Sequence, residues 1–564
     1  MATVTTDIAN QTTELDALVV GAGFAGLYQL LCLRDRLGLS VKTIEAGAGV
    51  GGTWYWNRYP GARCDSESHV YWYTFSPDLM REWEWSERYP GQPEIMRYLN
   101  HVADRFDLKR DILFNTRVTA AQYDETANRW RVRTENGETF VAKFLITAVG
   151  CLSTANVPAF NGLESLSGEW YHTGQWPHEG VDFTGKRVGM IGTGSTGIQA
   201  APVIAAAAEH LTVFQRTANY SVPARNAPLT PEFRRYIKEN AAEIRAVTRD
   251  TLNGMAFRIE ERLAVETPPE EREAIYDAAW ERGGLQFRAA FKDMMVDKAA
   301  NDTAAEFVKR KIRSIVKDPK TAAILSDIDH PYAAKRPPID TNYFETFNRA
   351  NVTLVDVKAT PIERISPAGV CTTQAEYPLD IIVFATGFDA MTGPLLRMNI
   401  QGRDGIALKD VWEAGRATTL DCRSRVFRTC LRSPVRAARR CCATCRWRSS
   451  STQTGSPIVS RTCARTGWSG SKLDPRRWTS GSRRSMTSPA RRCCRWRSIP
   501  GISAPIFRAS PRFSCRMQGE WFATGRSVTM SRREAMRGLH CHREAPGSWR
   551  QGHRHSIVAC RWYQ

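Results

Sequence analysis

One arrangement occurs twice in this chain and leaves little freedom in what surrounds it: an apolar strand, a turn with three glycines, and a helix. The first copy runs from Asp16-Ala-Leu-Val-Val20 through Gly21-Ala-Gly23-Phe-Ala-Gly26 into a helix through Leu33. The second runs from Lys186-Arg-Val-Gly-Met-Ile191 through Gly192-Thr-Gly194-Ser-Thr-Gly197 into a helix to about Ala208. In each set the first glycine permits the tight turn, the second admits a pyrophosphate close to the backbone, and the third lets helix pack on strand. The helix N-terminus then faces the phosphates. A lone G-x-G-x-x-G is weak, but strand, turn and helix in register make each copy a dinucleotide-binding unit.

The residue that closes the following strand separates the two. After Ser40 to Ile44 comes Glu45, 19 residues beyond Gly26, where a carboxylate accepts both ribose hydroxyls of an adenine dinucleotide of FAD type. After Leu211 to Phe214 the residue 19 beyond Gly197 is Arg216. A guanidinium holds a 2′-phosphate where a carboxylate would repel it, which favours NADPH over NADH; on spacing alone Arg216 also fits a surface arginine on an ordinary turn. FAD and NADPH on one chain imply hydride passed from a nicotinamide to a flavin. The fold class expected is α/β, two Rossmann-type dinucleotide-binding domains with a helical insertion and a C-terminal tail that is poorly structured. The boundaries expected are 1–155 for the first part of the FAD domain, 156–385 for the NADPH domain with its insertion at about 223–330, and 386–418 for a return to the FAD domain along Asp380-Ile-Ile-Val-Phe-Ala-Thr-Gly387.

Composition changes abruptly near Thr418. The segment 419–564 holds 31 basic and five acidic residues, against 47 and 53 before it, so net charges of +26 and −6 make up the +20 of the whole chain. That tail also holds 11 of the 15 cysteines and shows no apolar periodicity, so it is expected to bury no core. Its charge alone would attract any polyanion, but no specific nucleic-acid partner is expected. Cys441-Cys442 and Cys493-Cys494 lack zinc-site spacing, and no metal is expected. No signal peptide and no unbroken apolar span precede the first unit, so a cytoplasmic protein without a membrane segment is expected. In the insertion, Thr267-Pro-Pro-Glu-Glu reads as an N-cap with first-turn proline, and Thr303-Ala-Ala-Glu306 as a capping box. Phe307, Val308, Ile312, Ile315 and Val316 fall at helical spacing as a core face.

Between the two units, Leu166-Ser-Gly168-Glu-Trp-Tyr-His172-Thr-Gly-Gln-Trp176-Pro177 resembles the F-x-G-x-x-x-H-x-x-x-W-P fingerprint of Baeyer-Villiger monooxygenases, with Leu166 in place of the first aromatic. Gly51-Gly-Thr-Trp54-Tyr-Trp-Asn-Arg-Tyr-Pro-Gly-Ala-Arg63-Cys-Asp65 is similar to that family's flavin-edge segment, and the resemblance runs from about Ala17 to Gly415. It is closest to the phenylacetone, steroid and cyclododecanone type. Read in the neighbouring frame, Arg425 to Ser456 permit a string that opens G-F-P-N-L-F-x-V-T-G-P-G-S-P, and Pro500 to Gly519 one that opens W-Y-L-G-A-N-I-P-G-K. Both resemble the family's C-terminal motifs, so one base lost near codons 415 to 419 would account for the tail.

The resemblance implies an FAD- and NADPH-dependent enzyme that converts a ketone and O2 to an ester or lactone through a C4a-peroxyflavin. Oxygenation of sulfur or nitrogen is the rival chemistry on the same flavin, and an inactive product of a frameshifted gene of that family is the other alternative. The resemblance makes Arg336 the cation beside the flavin and Asp65 the carboxylate that holds it; by residue type alone Lys335-Arg336 reads as a solvated basic step. Thr53, Trp54, Asp65 and Tyr71 join Gly21, Gly23, Gly26 and Glu45 around FAD. Gly192, Thr193, Gly194, Ser195, Thr196, Gly197, Arg216, Thr217, Lys335 and Arg336 surround NADPH, with Lys335 assisting Arg216 on the 2′-phosphate. His172 is expected to be a structural histidine of the linker. Neither the ketone nor an oligomeric state can be read from the residues.

Overall fold

The computed structural model describes residues 12–251, 254–413 and 430–432. The first nucleotide unit begins β1 (Thr12–Val20), β2 (Val41–Ile44) and β3 (Ile112–Leu113), and the chain continues as β4 (Val118–Asp124), β5 (Arg129–Thr134) and β6 (Thr139–Thr147). Ala17 to Val20 are buried on both faces, as a strand between two parallel neighbours must be: Val20 lies opposite Ile44 on β2 and Thr147 on β6. The antiparallel β4–β5–β6 meander extends this sheet, and β5 alternates Trp130, Val132 and Thr134 inward with arginines outward. The helix expected through Leu33 is α-helical from Phe24 to Leu31 and runs on as a π-helical turn, Cys32–Arg36.

The second sheet takes β7 (Glu169–His172), β8 (Arg187–Ile191), β9 (His210–Gln215), β12 (Val352–Asp356) and β16 (Ile381–Phe384), all parallel in the order β12-β9-β8-β16-β7. Between β9 and β12 the chain forms a short parallel pair, β10 (Val222–Pro223) with β11 (Ile339–Asp340). An antiparallel meander, β13 (Ile362–Ser366), β14 (Gly369–Thr372) and β15 (Glu376–Pro378), precedes β16. Fully buried Ile381 to Phe384 make β16 the strand between fingerprint strand β7 and β8; the chain then returns to the first sheet as β17 (Ile400–Gln401), parallel to β4. Leu166, in the fingerprint's aromatic place, is half-buried against the cluster of Ile365, Val370 and Phe384.

Between β10 and β11 lie the helices Pro231–Glu239, Ala241–Asp250, Pro269–Arg282, Lys298–Ile315 and Pro319–Ser326, all inside the expected insertion. Phe307, Val308, Ile312 and Val316 are buried and Ile315 half-buried. Each such side chain contributes about 1.5–3 kcal/mol by leaving water. Both capping expectations are corrected. The helix at Pro269 has Pro268 at its N-cap without a side-chain cap, and Thr267 donates its hydroxyl back to Leu263 O. Thr303 lies one turn inside a helix whose N-cap is Asp297, which accepts from Ala300 N at 2.9 Å. A carboxylate at the N-cap won over the later threonine, whose hydroxyl instead donates to Ala300 O and lies 2.9 Å from the Tyr276 hydroxyl.

The neighbouring-frame strings and the paired cysteines of the tail lie outside the described residues. One part of the tail lies within the described residues: β18 (Cys430–Arg432) pairs in parallel with β6, Cys430 opposite Leu145 and Arg432 opposite Thr147. β5 covers β6 only from Thr139 to Ala142, which leaves the backbone groups of Leu145 to Thr147 open on that side for any short extended segment. Among the described residues no helix is long and apolar enough to cross a membrane.

Candidate functional site

The first glycine turn is folded tightly into its own domain. Gly21 has φ of 100°, and a Cβ there would stand 2.7 Å from Ala148 O; one on Gly26 would stand 1.7 Å from Gly21 O. The N-cap of the helix is Gly23, with no side chain over the first-turn amides, so these remain for an anion. Gly52 lies against this turn, its Cα 3.4 Å from where a Gly23 Cβ would be. Glu45 is only 5% exposed at the end of β2. Its Oε2 accepts from Ala22 N at 2.6 Å and its Oε1 from Gly47 N at 2.8 Å, while burial pushes its pKa up against the pull of those bonds. Each oxygen keeps a lone pair for a ribose hydroxyl. Thr53 is exposed at the start of the short helix Thr53–Trp56; Trp54 is buried, and its Nε1 donates to the Tyr71 hydroxyl at 3.0 Å.

The second turn repeats the backbone geometry and differs in its surroundings. Gly192 has φ of 114°, and a Cβ there would meet Ala385 O at 2.5 Å; one on Gly197 would meet Gly192 O at 2.2 Å. A Cβ on Gly194 would meet nothing within 4 Å, so the cradle a pyrophosphate needs is open. Ser195 and Thr196 form the half-buried first turn of the helix Ser195–Ala207, and Thr193 Oγ1 donates to Thr217 O at 3.0 Å, tying turn to strand end. Arg216 is exposed and lines, with Thr217, a cavity of about 260 Å³. Lys358 lines that cavity as well, 3.6 Å from Asp329, and Lys335 does not. Lys335 is exposed on the loop before β11, where its charge adds to burial in lowering the pKa of His330. Both turns therefore fit the nucleotides expected of them.

Two segments meet between these turns. Asp65, from the flavin-edge segment, and Arg336, from the loop after the insertion, form an ion pair with Oδ1 and Nη2 2.6 Å apart, 13% and 27% exposed. Tyr59 donates to Gln199 Oε1 at 2.8 Å and Gln199 Nε2 donates to Arg63 O at 3.1 Å, so the helix of the second turn grips the segment carrying Asp65. Arg288, unforeseen from sequence, adds a second cation. Burial pushes its pKa down, and the charge of Arg336 adds to that while Asp65 opposes it. Its Nε has no hydrogen-bond partner among the described residues. The residues around it, Gly284–Ala289, form a 3-10 turn that no local periodicity announces. His172 closes β7. Its Nδ1 accepts from Gly174 N at 3.0 Å, its ring stands edge-on to Phe388 at 5.9 Å, and burial holds it below the ordinary imidazole range.

A mixed sheet with a buried acid at the end of β2, a parallel sheet with an exposed arginine after β9, and a fixed carboxylate–guanidinium pair on a segment that touches the first turn and the helix of the second define a flavin- and nicotinamide-dependent oxidoreductase. Residues 18–278 match the family model described as pyridine nucleotide-disulphide oxidoreductase. A Baeyer-Villiger monooxygenase of Pseudooceanicola batsensis is 47% identical over 409 residues, 71% of this chain and 74% of that one. The phenazine N-monooxygenase PhzNO1 of Lysobacter antibioticus is 42% identical, over 72% of this chain and 75% of that one. A solved structure, oxidized steroid monooxygenase bound to NADP, superposes with a TM-score of 0.73 at 52% identity, covering 77% of this chain and 83% of its own. The chain belongs to the Baeyer-Villiger monooxygenase family: NADPH-dependent flavoprotein monooxygenases that use FAD and convert ketones to esters or lactones.

Proposed function

We propose that the chain oxidises a ketone at the Asp65–Arg336 pair, with FAD at the turn Gly21–Gly26 and NADPH at the turn Gly192–Gly197. The ion pair carries this reading, because it sets a guanidinium where the segments of the two nucleotide sites meet. Reduced FAD supplies the two-electron chemistry that brings O2 to the level of a peroxide. Atoms balance as ketone, O2, NADPH and H⁺ giving ester, water and NADP⁺. Oxygen adding to the carbonyl carbon leaves negative charge on the former carbonyl oxygen. Arg336, always protonated, faces that charge, and Asp65 fixes its direction; such preorganised contacts are worth about 3–4 kcal/mol of barrier. Trp54 and Tyr71, hydrogen-bonded to each other, form a wall beside the flavin with Thr53 at its edge. Arg216 holds the 2′-phosphate with Thr217, and Lys335 assists from its loop.

Among the described residues Cys32 and Cys371 are free thiols, which supports a reducing, cytoplasmic setting. Similarity over 71% of the chain is close to the share that precedes Thr418, which supports the neighbouring-frame reading of the tail. Source DNA with one further base between codons 410 and 425 is the expected finding; DNA matching the tail as written would mean that the shift is real and the product inactive.

Nitrogen oxygenation is the second reading, favoured by the N-monooxygenase at 42% identity. One variant separates the two. Arg336→Ala should lower ester formation by about 10² to 10³ while NADPH oxidation continues and O2 leaves as H2O2. Ester formed at the unmodified rate would overturn the role of Arg336. A variant that still oxygenated amines or sulfides, from a parent that made no ester, would establish the second reading.

A further inference from the structure

We propose that Asn301 positions Arg336, acting as a substitute strand for the loop that carries it. The inference rests on the reading of Arg336 given above. Asn301 is 8% exposed, in the first turn of the helix Lys298–Ile315. Its Oδ1 accepts from Tyr332 N at 2.8 Å and its Nδ2 donates to Tyr332 O at 3.0 Å. That reciprocal pair is what one residue of a neighbouring β-strand would offer. The second Nδ2 hydrogen goes to Met294 O at 2.9 Å, so every polar atom of the carboxamide is used and the side chain has one orientation.

The loop needs such a hold. Ala333 follows Tyr332 with φ of 60°, a region that residues with a Cβ seldom occupy, and Lys335 beyond it is exposed. Tyr332 itself is an anchor, 2% exposed, with its ring edge-on to Tyr220 at 5.3 Å and Phe287 at 5.5 Å. Past Arg336 the chain is caught again: Val222 N donates to Pro338 O at 3.1 Å, and the Ser221 hydroxyl donates to Asp340 Oδ2 at 2.6 Å. Arg336 thus lies on a short span fastened at both ends. Its partner is held by the same device, since Gln199 accepts from Arg63 N at 3.4 Å and donates to Arg63 O at 3.1 Å, two residues before Asp65. Two carboxamides, one from the insertion and one from the second nucleotide helix, therefore fix the two halves of the ion pair. This gives the helical insertion a part in the chemistry: its helix Lys298–Ile315 sets the direction of the guanidinium.

A misplacement of about 1 Å at a reacting centre lowers a rate by about 10². The test uses the full chain with FAD bound, as parent, Asn301→Ala and Asn301→Asp; the aspartate keeps the shape and loses both donors. Two quantities are read on each: ester formed per NADPH oxidised, and amide hydrogen exchange in 331–337 against 118–134. Asn301→Ala and Asn301→Asp should exchange at least tenfold faster in 331–337 and unchanged in 118–134. They should oxidise NADPH at near the parent rate while ester per NADPH falls at least tenfold and H2O2 makes up the difference. Faster exchange with unchanged ester per NADPH would overturn positioning, since the loop would then be freed without consequence. Unchanged exchange would overturn the clamp itself. Equal loss of NADPH oxidation and ester, with faster exchange in both segments, would make Asn301 a residue of general stability and overturn the proposal. A parent that oxidises NADPH without making ester would instead overturn the ketone reading, with exchange still deciding whether the clamp exists.

Discussion

The two glycine turns have the same backbone and opposite surroundings. Gly21 and Gly192 share a left-handed φ, and Gly26 and Gly197 both press on the carbonyl of the first glycine in their turn. Beyond those positions the likeness ends. The first turn is covered by Gly52 and closed by Glu45, which is buried and bonded to the turn through Ala22 N. The second is open at Gly194 and ends in Arg216, exposed beside a cavity. The shared part is what any dinucleotide needs from a turn; under the proposed function the divergent part sets which dinucleotide each turn takes. A nucleotide enclosed by the chain suits a resident cofactor; one that meets an open cradle suits a reagent that comes and goes.

The comparison breaks first where the turns are alike. Gly26→Ala and Gly197→Ala each place a Cβ within 2.2 Å of a carbonyl oxygen, so each should cost about 4 kcal/mol or more and leave its domain unfolded, read by urea denaturation. Either variant folding normally would show that the turns are looser than described. Glu45→Ala removes a charged acceptor that backbone amides already hold, and flavin affinity should fall about tenfold to a hundredfold with NADP⁺ binding unchanged, measured by flavin fluorescence. Gly194→Ala should leave the urea midpoint within about 0.5–1 kcal/mol of the parent, because its Cβ meets nothing, yet weaken NADP⁺ binding about tenfold. A loss of stability there would mean that the cradle is not open.

A separate effect, spread over pH, concerns a buried acid in the second domain. Burial lifts the pKa of Asp340 to about 6, against the pull of the Ser221 hydroxyl. Its folded pKa lies above its unfolded value, so between about pH 4 and 6 the folded state binds more protons than the unfolded one. The contribution of Asp340 to stability is therefore greatest below about pH 4 and falls as pH rises to about 6, by no more than roughly 3 kcal/mol. Asp340→Asn should flatten the urea midpoint over that range; an unchanged slope would assign it to another group.

Much of this was legible because it is local. The glycine turns, Glu45, Arg216 and the return strand near Asp380 are set by residues adjacent in sequence, and the strands fall within a few residues of where apolar runs place them. The capping box at Thr303 misled because Asp297, six residues earlier, was a better acceptor for the free amides. Arg288, Gln199 and Asn301 carry no local pattern. Their meaning comes from Arg336, Arg63 and Tyr332, brought beside them only once segments distant in sequence pack together. β18 was unforeseen for a related reason: a three-residue strand is made by the open edge it meets rather than by its own residues.

The most direct test of the difference between the turns is the affinity of the chain for NADP⁺ and NAD⁺, with and without Arg216→Ala, by titration calorimetry. Charge-assisted bonds to the 2′-phosphate are worth about 1.5–3 kcal/mol, so the variant should bind NADP⁺ about tenfold to a hundredfold more weakly and NAD⁺ within about twofold of the parent. Equal weakening of both nucleotides would contradict the account, because Arg216 would then serve the fold of the turn and not the phosphate that distinguishes its ligand.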